Sequence, residues 1–147
     1  MNSVPLWLQL LRSYCVHFPF MRGKWRMVTW AYQNMKIPDA RIQASLDGTI
    51  SLTLHLNIWI DFNIYCLGMY EFYLANFVKN NMIKETIFID IGSYIGQYAL
   101  LAARNAPQGK IFAFEPNQES AQRLKDNIIQ NHFSNIEAIT KAVGDFD

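Results

Sequence analysis

Apolar and polar side chains alternate with a period of two over residues 39–56, and this pattern predicts a β-hairpin. Asp47 and Gly48 form a turn dipeptide between the two alternating rows. A two-residue loop at that dipeptide would place the apolar rows on opposite faces of the hairpin. A three-residue loop that also includes Thr49 places both rows on one face, so we expect that loop or a bulge nearby.

Helical spacing of apolar residues predicts further helices on both sides of this hairpin. Two short helices are expected in residues 1–38, and the first should end near Pro19 because proline restricts the residue before it. Residues 57–82 lead into another helix, which should end at Asn80-Asn81. Its predicted inward stripe consists of Tyr70, Leu74, Phe77 and Val78.

Strand and helix patterns alternate from residue 83 onward, with short connections between them. The expected strands are Thr86–Ile91, Lys110–Phe114 and Ile136–Val143. Gly96–Asn105 is the first intervening helix, and Asn117 caps the second. Such alternation predicts parallel strands joined by right-handed crossovers, which is an α/β fold.

The chain has 147 residues and a formal net charge of +1, but its charges are unevenly distributed. Residues 1–38 contain five cationic side chains and no acidic one, whereas the remaining residues contain eight cationic and twelve acidic side chains. This asymmetry indicates that the N-terminal arm meets something anionic. Cys15 and Cys66 lack the spacing of a zinc site or a disulfide framework, so we expect reduced, buried thiols.

No segment of the sequence has the roughly 20 apolar residues that a membrane-spanning helix needs. Arg12 interrupts the first apolar stretch and no small-residue cleavage site follows it, which argues against a secretory signal. The expected location is therefore cytoplasmic. The three histidines are scattered, and since no pair has metal-ligand spacing, no metal site is predicted.

The segment from Phe88 to Gly96 combines an apolar strand, a carboxylate and a glycine-containing turn that opens a helix. Gly92 allows a sharp turn and a close approach of the backbone to a ligand. Gly96 allows the following helix to pack tightly on the sheet. The N–H groups at the start of that helix then face the ligand site, and Asp90 stands at the head of the turn.

Two further acids follow the second and third predicted strands. Glu115 lies about 20 residues beyond the glycine turn, where a carboxylate is placed to accept hydrogen bonds from ribose hydroxyls. Asp145 comes just past the third strand. Because parallel strands end at one edge of a sheet, these two acids and Asp90 should form one row, which predicts a nucleoside ligand.

The glycine pattern distinguishes between the nucleosides that could bind. A dinucleotide fingerprint needs G-x-G-x-x-G, whereas Tyr94 and Gln97 occupy two of its glycine positions here. The Asp90 carboxylate also repels a pyrophosphate and attracts a cation such as the methionyl ammonium of S-adenosylmethionine. We therefore predict S-adenosylmethionine as the cofactor. An NAD-type dinucleotide-binding module and a non-catalytic nucleoside-binding remnant are the alternatives.

The same motifs resemble those of the FkbM family of methyltransferases. Asp90–Tyr98 is similar to its D-x-G-A-N-x-G-x-Y element, Ala113–Asn117 to its A-F-E-P-N strand end, and Ala142–Asp145 to its A-V-G/S-D element. Upstream, Gly68–Glu71 resembles its G-x-Y-E element. The resemblance covers about residues 57–147 and implies a Rossmann-like class I methyltransferase fold.

The resemblance also implies which residues bind the cofactor. Asp90, Gly92 and Gly96 are expected to line its methionine and ribose end. Glu115 is expected at the ribose hydroxyls, and Asp145 is expected near the adenine amino group.

Five more residues complete the expected cofactor site. Glu71 is expected to cover the cofactor from outside. Ser93 and Tyr94 stand where the family usually has Ala-Asn, and the bulk of Tyr94 should reduce cofactor affinity. Pro116 and Asn117 belong to the A-F-E-P-N element, although the position of Asn117 also suits a helix cap.

FkbM relatives imply O-methylation of a hydroxyl on a sugar, a polyketide or a similar metabolite. The enzyme then contributes mostly alignment, with a base where the hydroxyl needs one. That base and the pocket for the small-molecule acceptor are expected beyond residue 147. Only the first three strands of the class I sheet are predicted, so we interpret the chain as an incomplete domain that is inactive alone. Its first strand then has an unpaired edge that favours association, including oligomer formation.

Three segments are therefore expected: a basic aromatic arm (1–38), a hairpin with a helical lid (39–82), and the N-terminal half of an S-adenosylmethionine-binding domain (83–147). The arm fits either a packed lid that attracts an anionic substrate, which we favour, or an anchor in peripheral contact with a membrane. Nucleic acid is not expected as a partner, because the rest of the chain is acidic and has no RNA-binding motif. The aromatic residues of the arm are Trp7, Phe18, Phe20, Trp25 and Trp30.

Overall fold

The structure is a computed structural model that describes residues 4–18 and 23–145. Pro19, Phe20 and Arg22 of the predicted arm lie outside the described residues. The chain divides into two compact units, Met1–Tyr70 and Glu71–Asp147. Among the described residues, no helix combines the length and apolar character that crossing a membrane would require.

Two helices open the first unit, as the sequence predicts. α1 spans Leu6–His17 and α2 spans Lys24–Asn34. The first helix ends before the proline, because Phe18 has an extended backbone with φ −82° and ψ 134°. α2 turns Lys24, Val28 and Ala31 inward, and all three are buried.

The β-hairpin follows, with β1 at Arg41–Leu46 and β2 at Ile50–His55. Leu46 pairs with Ile50, so the predicted three-residue loop is confirmed. Asp47 and Gly48 adopt left-handed φ values of 53° and 73° within that loop. Both apolar rows lie on one face, and the side chains of Leu46, Ile50, Leu52, Leu54 and Leu56 are fully buried.

Residues 57–82 form two helices where one was expected. α3 spans Trp59–Leu67 and ends at Gly68, whose left-handed φ of 85° stops the helix. α4 spans Phe72–Asn81, so the predicted end at Asn80-Asn81 is confirmed.

The predicted inward stripe of this region is wrong at most of its positions. Tyr70 precedes α4, so helical spacing counted from it does not apply. Leu74 and Phe77 are 46% and 61% exposed. The buried residues of α4 are Ala75 and Val78, because the smaller alanine shares the inner face with the valine.

The second unit contains a parallel sheet of order β3-β4-β5. The strands are Ile87–Ile91, Lys110–Phe114 and Ile136–Ile139, joined by α5 at Gln97–Asn105 and α6 at Gln118–Gln130. This architecture confirms the predicted α/β fold. β5 is shorter than expected because the backbone N–H of Lys141 turns back to the Ile139 carbonyl at 3.0 Å, which ends the ladder.

The two faces of this sheet differ in burial. Ile111 and Ala113 of β4 are fully buried, and Asp90 lies beside Ala113 on the same face. The opposite face of β3 carries three exposed isoleucines, and within the described residues β3 pairs only with β4. The first strand therefore has the unpaired edge that the sequence predicts, and association through it stays a prediction. The exposed residues are Ile87, Ile89 and Ile91.

Both cysteines are free and buried, as predicted. Burial raises the pKa of the Cys66 thiol, and burial also raises the pKa of Cys15 against the opposing charge of Lys24. Across the part of the chain that the structure describes, no group of His, Cys, Asp and Glu side chains could hold a metal ion.

Candidate functional site

The candidate site lies at the carboxyl ends of β3 and β4. Asp90 is the penultimate residue of β3, and Glu115 directly follows β4. Parallel pairing aligns Asp90 with Ala113, two residues before Glu115. The structure therefore brings together two of the three acids that the sequence predicts in one row.

Backbone hydrogen bonds tie the turn after β3 to the end of β4. The N–H groups of Gly92 and Ser93 both donate to the Phe114 carbonyl at 2.9 Å. Gly92 has a φ of +80°, and a Cβ added there would meet nothing within 4 Å. The space beside this glycine is open, as a close approach of a ligand to the backbone requires.

Asp90 is a buried carboxylate with an incompletely satisfied side chain. Its side chain is 8% exposed, and Oδ2 has no hydrogen-bond partner within the described ranges. Burial raises the pKa of Asp90 to about 6; the nearby Glu115 carboxylate adds to this rise, while hydrogen bonds from Ser93 and the Ala99 backbone oppose it. A buried acceptor without a donor is costly, and such atoms are rare in folded proteins.

Two backbone N–H groups hold the Glu115 carboxylate. Tyr94 N–H donates to Oε2 at 2.8 Å, and Asn117 N–H donates to Oε1 at 2.9 Å. An ionised carboxylate has about four acceptor positions, so both oxygens can still accept from hydroxyl groups. Glu115 is therefore fixed in orientation by the two backbone donors, and its expected contact with ribose hydroxyls stays a prediction.

Gly96 supports the site through a close contact with a helix. Its φ is +94°, and an added Cβ would lie 2.5 Å from Leu124 Cδ1 on α6. The sequence predicts that this glycine lets α5 pack on the sheet. In the structure the tight contact is with α6 instead, because Gly96 precedes the first turn of α5 and faces the neighbouring helix.

Two residues of α6 that the sequence analysis did not single out position the turn. Asn127 is fully buried, and its Nδ2 donates to the Ile95 carbonyl at 3.0 Å. Arg123 Nη1 donates to the Tyr94 hydroxyl at 3.1 Å, with its guanidinium 5.4 Å from the ring centroid. The sequence feature that could have identified Asn127 is its position beside Ile128 on the inward face of α6, where it is the polar residue among apolar ones.

Tyr94 has a backbone conformation that is uncommon for a bulky residue. Its φ is +52°, in the left-handed region that favours glycine and asparagine. The ring lies against Arg123, which holds it to α6. Its expected effect on cofactor affinity stays a prediction.

Glu71 is connected to the glycine turn motif through a side chain of α5. Its Oε2 accepts a hydrogen bond of 2.7 Å from the Tyr98 hydroxyl, and its backbone φ is 48°. Tyr98 is the last residue of the Asp90–Tyr98 motif. Glu71, the last residue of the upstream element, thus contacts the central motif within the second unit. A role for Glu71 over the cofactor stays a prediction.

The remaining predicted residues are exposed. Asn117 caps α6, since its side-chain oxygen accepts from Ser120 N–H at 3.0 Å, and Pro116 precedes it at the surface. Asp145 lies six residues beyond the last residue of β5, so it does not follow the strand directly as expected. Its proposed place near adenine stays a prediction.

The second unit has the Rossmann-like fold of class I methyltransferases. Its two acids lie at the ends of the strands. A family model described as Vibrio cholerae RfbT protein matches residues 52–147. Because this match covers more than half of the chain, the chain belongs to the Vibrio cholerae RfbT protein family. A comparison with curated proteins found no match.

Solved structures share this fold at low sequence identity. TYW2 of P. horikoshii in complex with MeSAdo is similar with a TM-score of 0.56 and 17% identity, over 71% of this chain and 37% of that one. TYW2 of M. jannaschii in complex with AdoMet has a TM-score of 0.56 and 16% identity, over 71% and 45%. The putative transferase PH0793 of Pyrococcus horikoshii has a TM-score of 0.54 and 16% identity, over 71% and 37%. The chain therefore spans less than half the length of these proteins.

Proposed function

We propose that this chain binds S-adenosylmethionine at the carboxyl ends of β3 and β4, as part of a methyltransferase. The observation that carries the proposal is the buried Oδ2 of Asp90, which has no donor among the described residues. A ligand ammonium supplies both a donor and the opposite charge, and it would offset the cost of burying this carboxylate. Two solved structures with the same fold are complexes with MeSAdo and with AdoMet, which supports this choice.

The other groups of the site fit the rest of the ligand. Glu115 is oriented by two N–H donors and keeps acceptor positions for ribose hydroxyls. The open space at Gly92 leaves room beside the backbone. When bound, S-adenosylmethionine supplies a methyl group on a sulfonium, and the residues of this chain hold its two ends.

We propose O-methylation of a hydroxyl on a sugar, polyketide or similar metabolite as the reaction. The FkbM-like elements Asp90–Tyr98 and Ala113–Asn117 support this class of acceptor. In such a transfer the methyl–sulfur bond breaks as the methyl–oxygen bond forms, and the hydroxyl proton passes to a base. Alignment of the two reactants is then the main contribution of the protein.

Calorimetry on the full chain with S-adenosylhomocysteine and with NAD tests the cofactor. We expect the first ligand to bind and the second not to bind, because a carboxylate at the turn repels a pyrophosphate. Glu115→Gln should weaken binding about tenfold or more, since charge-assisted hydrogen bonds contribute about 1.5–3 kcal/mol. The matched control is Glu85→Gln, an exposed acid before β3 at the other end of the sheet. Binding of NAD alone, or equal losses in both variants, would contradict the proposal.

The affinity for S-adenosylhomocysteine should fall as the pH is lowered through the pKa of Asp90. This pKa is raised to about 6, so the carboxylate is charged at pH 7.5 and mostly protonated at pH 5. A neutral carboxyl loses its attraction for the ligand ammonium, and the dissociation constant should rise about tenfold at pH 5. Titration calorimetry across this range measures the effect. A profile that stays flat between pH 7.5 and 5 would show that Asp90 does not face the ligand.

A further inference from the structure

The outward surface of the first two helices is apolar and aromatic. Leu6 and Leu10 on α1 are 70% and 61% exposed, and Trp30 on α2 is 60% exposed. Trp25 and Met27 are also exposed on α2. Helices that face water normally present polar side chains there, so an exposed patch of this kind marks a contact surface.

A groove runs between these two helices within the first unit. It has a volume of about 410 Å³ and is lined by Trp7 and Leu11 of α1 together with Met27, Trp30 and Met35. Arg26 is the cationic residue in the lining. A second groove of about 250 Å³ shares Arg26 and Trp30 with the first and is also lined by Trp25, Thr29 and Gln33. The first groove is thus apolar, and Arg26 is the one cationic residue among those that line it.

The charges of this region have one sign. Residues 1–38 contain no acidic side chain. Lys24 is buried and donates a hydrogen bond to the Cys15 carbonyl at 2.6 Å, and Arg12 donates one to the Tyr65 carbonyl. Both cationic side chains therefore bind backbone groups within the first unit. Arg26 and Lys36 are exposed. The outward charge beside the groove is therefore cationic.

We propose that α1 and α2 form a docking surface for an anionic phospholipid membrane, with an acyl chain in the groove. Tryptophan side chains beside cationic ones suit the boundary between headgroups and acyl chains. Arg26 and Lys36 would pair with lipid phosphates, and each cation near an anionic surface strengthens binding about fivefold. This inference does not rest on the methyltransferase proposal, since every residue in it belongs to the first unit.

The same observations favour a lipid surface over other anionic partners. Single-stranded nucleic acid binds along a positively charged groove, and duplex binding depends on several phosphate contacts. Here the groove has one arginine among apolar side chains. The exposed position of Trp30 also favours the membrane anchor over the packed lid that the sequence analysis favoured.

Flotation of the full chain with vesicles tests the proposal. We expect binding to vesicles of phosphatidylcholine mixed with anionic phosphatidylglycerol and much weaker binding to vesicles of phosphatidylcholine alone. High salt should reduce the anionic preference. Tryptophan fluorescence should shift to shorter wavelength on binding, because the indole rings leave water.

Two pairs of variants separate the apolar and the charged contributions. Met27→Gln with Trp30→Gln should reduce binding about tenfold or more, whereas the control Phe77→Gln on α4 should not. Arg26→Gln with Lys36→Gln should remove the preference for anionic vesicles, whereas Lys84→Gln with Arg104→Gln should leave it intact.

Circular dichroism first establishes that each variant is folded; all these positions are exposed, so their replacement should be tolerated. No flotation with anionic vesicles, or equal flotation of Met27→Gln/Trp30→Gln and the parent chain, would overturn the proposal. Loss of binding in the controls as well as in the test variants would also overturn it. Retention by an RNA oligonucleotide, or a dimer that Met27→Gln/Trp30→Gln disperses, would assign the surface to a different partner and equally overturn it.

Discussion

Replacing Asp90 with asparagine is expected to raise the stability of the chain and, at the same time, to weaken its binding of S-adenosylhomocysteine strongly. The carboxylate is 8% exposed, and one of its oxygens has no donor among the described residues. A buried group that destabilises the free protein but is needed to bind a ligand has opposite effects on the two properties. Its replacement raises the stability and lowers the affinity for the ligand. A purely structural aspartate would lower both when replaced.

The sign of the stability effect follows from the pKa of Asp90. Burial raises it from 3.8 to about 6, so the folded chain holds this proton more tightly than the unfolded chain does. The stabilising contribution of the protonated form is present below pH 3.8 and is lost as the pH rises through about 6. A shift of about two units corresponds to about 3 kcal/mol at pH 8.

Asparagine cannot ionise, so Asp90→Asn should be more stable than the parent by about 1–3 kcal/mol at pH 8. The gain should shrink towards pH 5, where the parent carboxyl is mostly protonated. Affinity for S-adenosylhomocysteine should fall about 100-fold, since removing one partner of a buried charge pair costs about 2–5 kcal/mol. Thermal unfolding at both pH values and calorimetry at pH 8 give the two measurements.

The matched control is Asp126→Asn, an exposed acid on α6 that accepts a hydrogen bond from the Gln122 side chain. This variant should remain within about 0.5 kcal/mol of the parent and bind the ligand normally. If Asp90→Asn were less stable than the parent at pH 8, the carboxylate would have a donor that the structure does not show. If it still bound the ligand, Asp90 would not contact the ammonium.

Local patterns predicted those parts of the fold that depend on neighbouring residues. The hairpin register follows from alternation, because only the pairing of Leu46 with Ile50 buries both rows. Asn117 caps α6 as expected, since a cap depends on residues within one turn. The helix end at Asn81 is local in the same way.

The predictions were wrong where the backbone conformation of single residues, or packing between residues distant in the sequence, determines the structure. Gly68 breaks residues 57–82 into two helices through its left-handed φ, which an apolar stripe cannot reveal. β5 ends early because Lys141 bonds within its own turn, and this displaces Asp145 from the strand end. The prediction of a strand to Val143 relied on residue type alone.

The candidate site was predicted in part for the same reason. Asp90 and Glu115 come directly from strand-end positions, and parallel pairing brings them together. Arg123 and Asn127 support the turn from 29 and 32 residues away, so no local spacing connects them to Tyr94 or Ile95. Such contacts depend on how α6 packs, which local patterns in a single sequence do not reveal.

Gly109→Ala is expected to destabilise the second unit by about 3 kcal/mol or more. A Cβ at Gly109 would lie 2.1 Å from the backbone oxygen of Thr86 and 3.0 Å from Ala106 Cβ. A carbonyl on a paired segment cannot rotate away as a side chain can. The strain should break the 3.1 Å hydrogen bond from Lys110 N–H to that oxygen, where β3 and β4 begin to pair.

This loss is large against the roughly 5–15 kcal/mol that stabilises an ordinary domain. Urea unfolding followed by circular dichroism should show a lower midpoint for Gly109→Ala. Gly48→Ala is the control, because its added Cβ would meet nothing within 4 Å and only the left-handed φ of 73° is strained. That strain costs about 1–2 kcal/mol.

Equal losses in the two variants would mean that the contact with Thr86 costs no more than the strained φ at Gly48 and that the strand pair adjusts to the added Cβ at position 109. A loss confined to Gly109→Ala should also weaken the binding of S-adenosylhomocysteine. The reason is that the pairing that begins at Lys110 also aligns Asp90 with Ala113 and thereby sets the distance to Glu115. Binding unaffected by a destabilised β3–β4 pair would place the ligand away from the carboxyl ends of these strands.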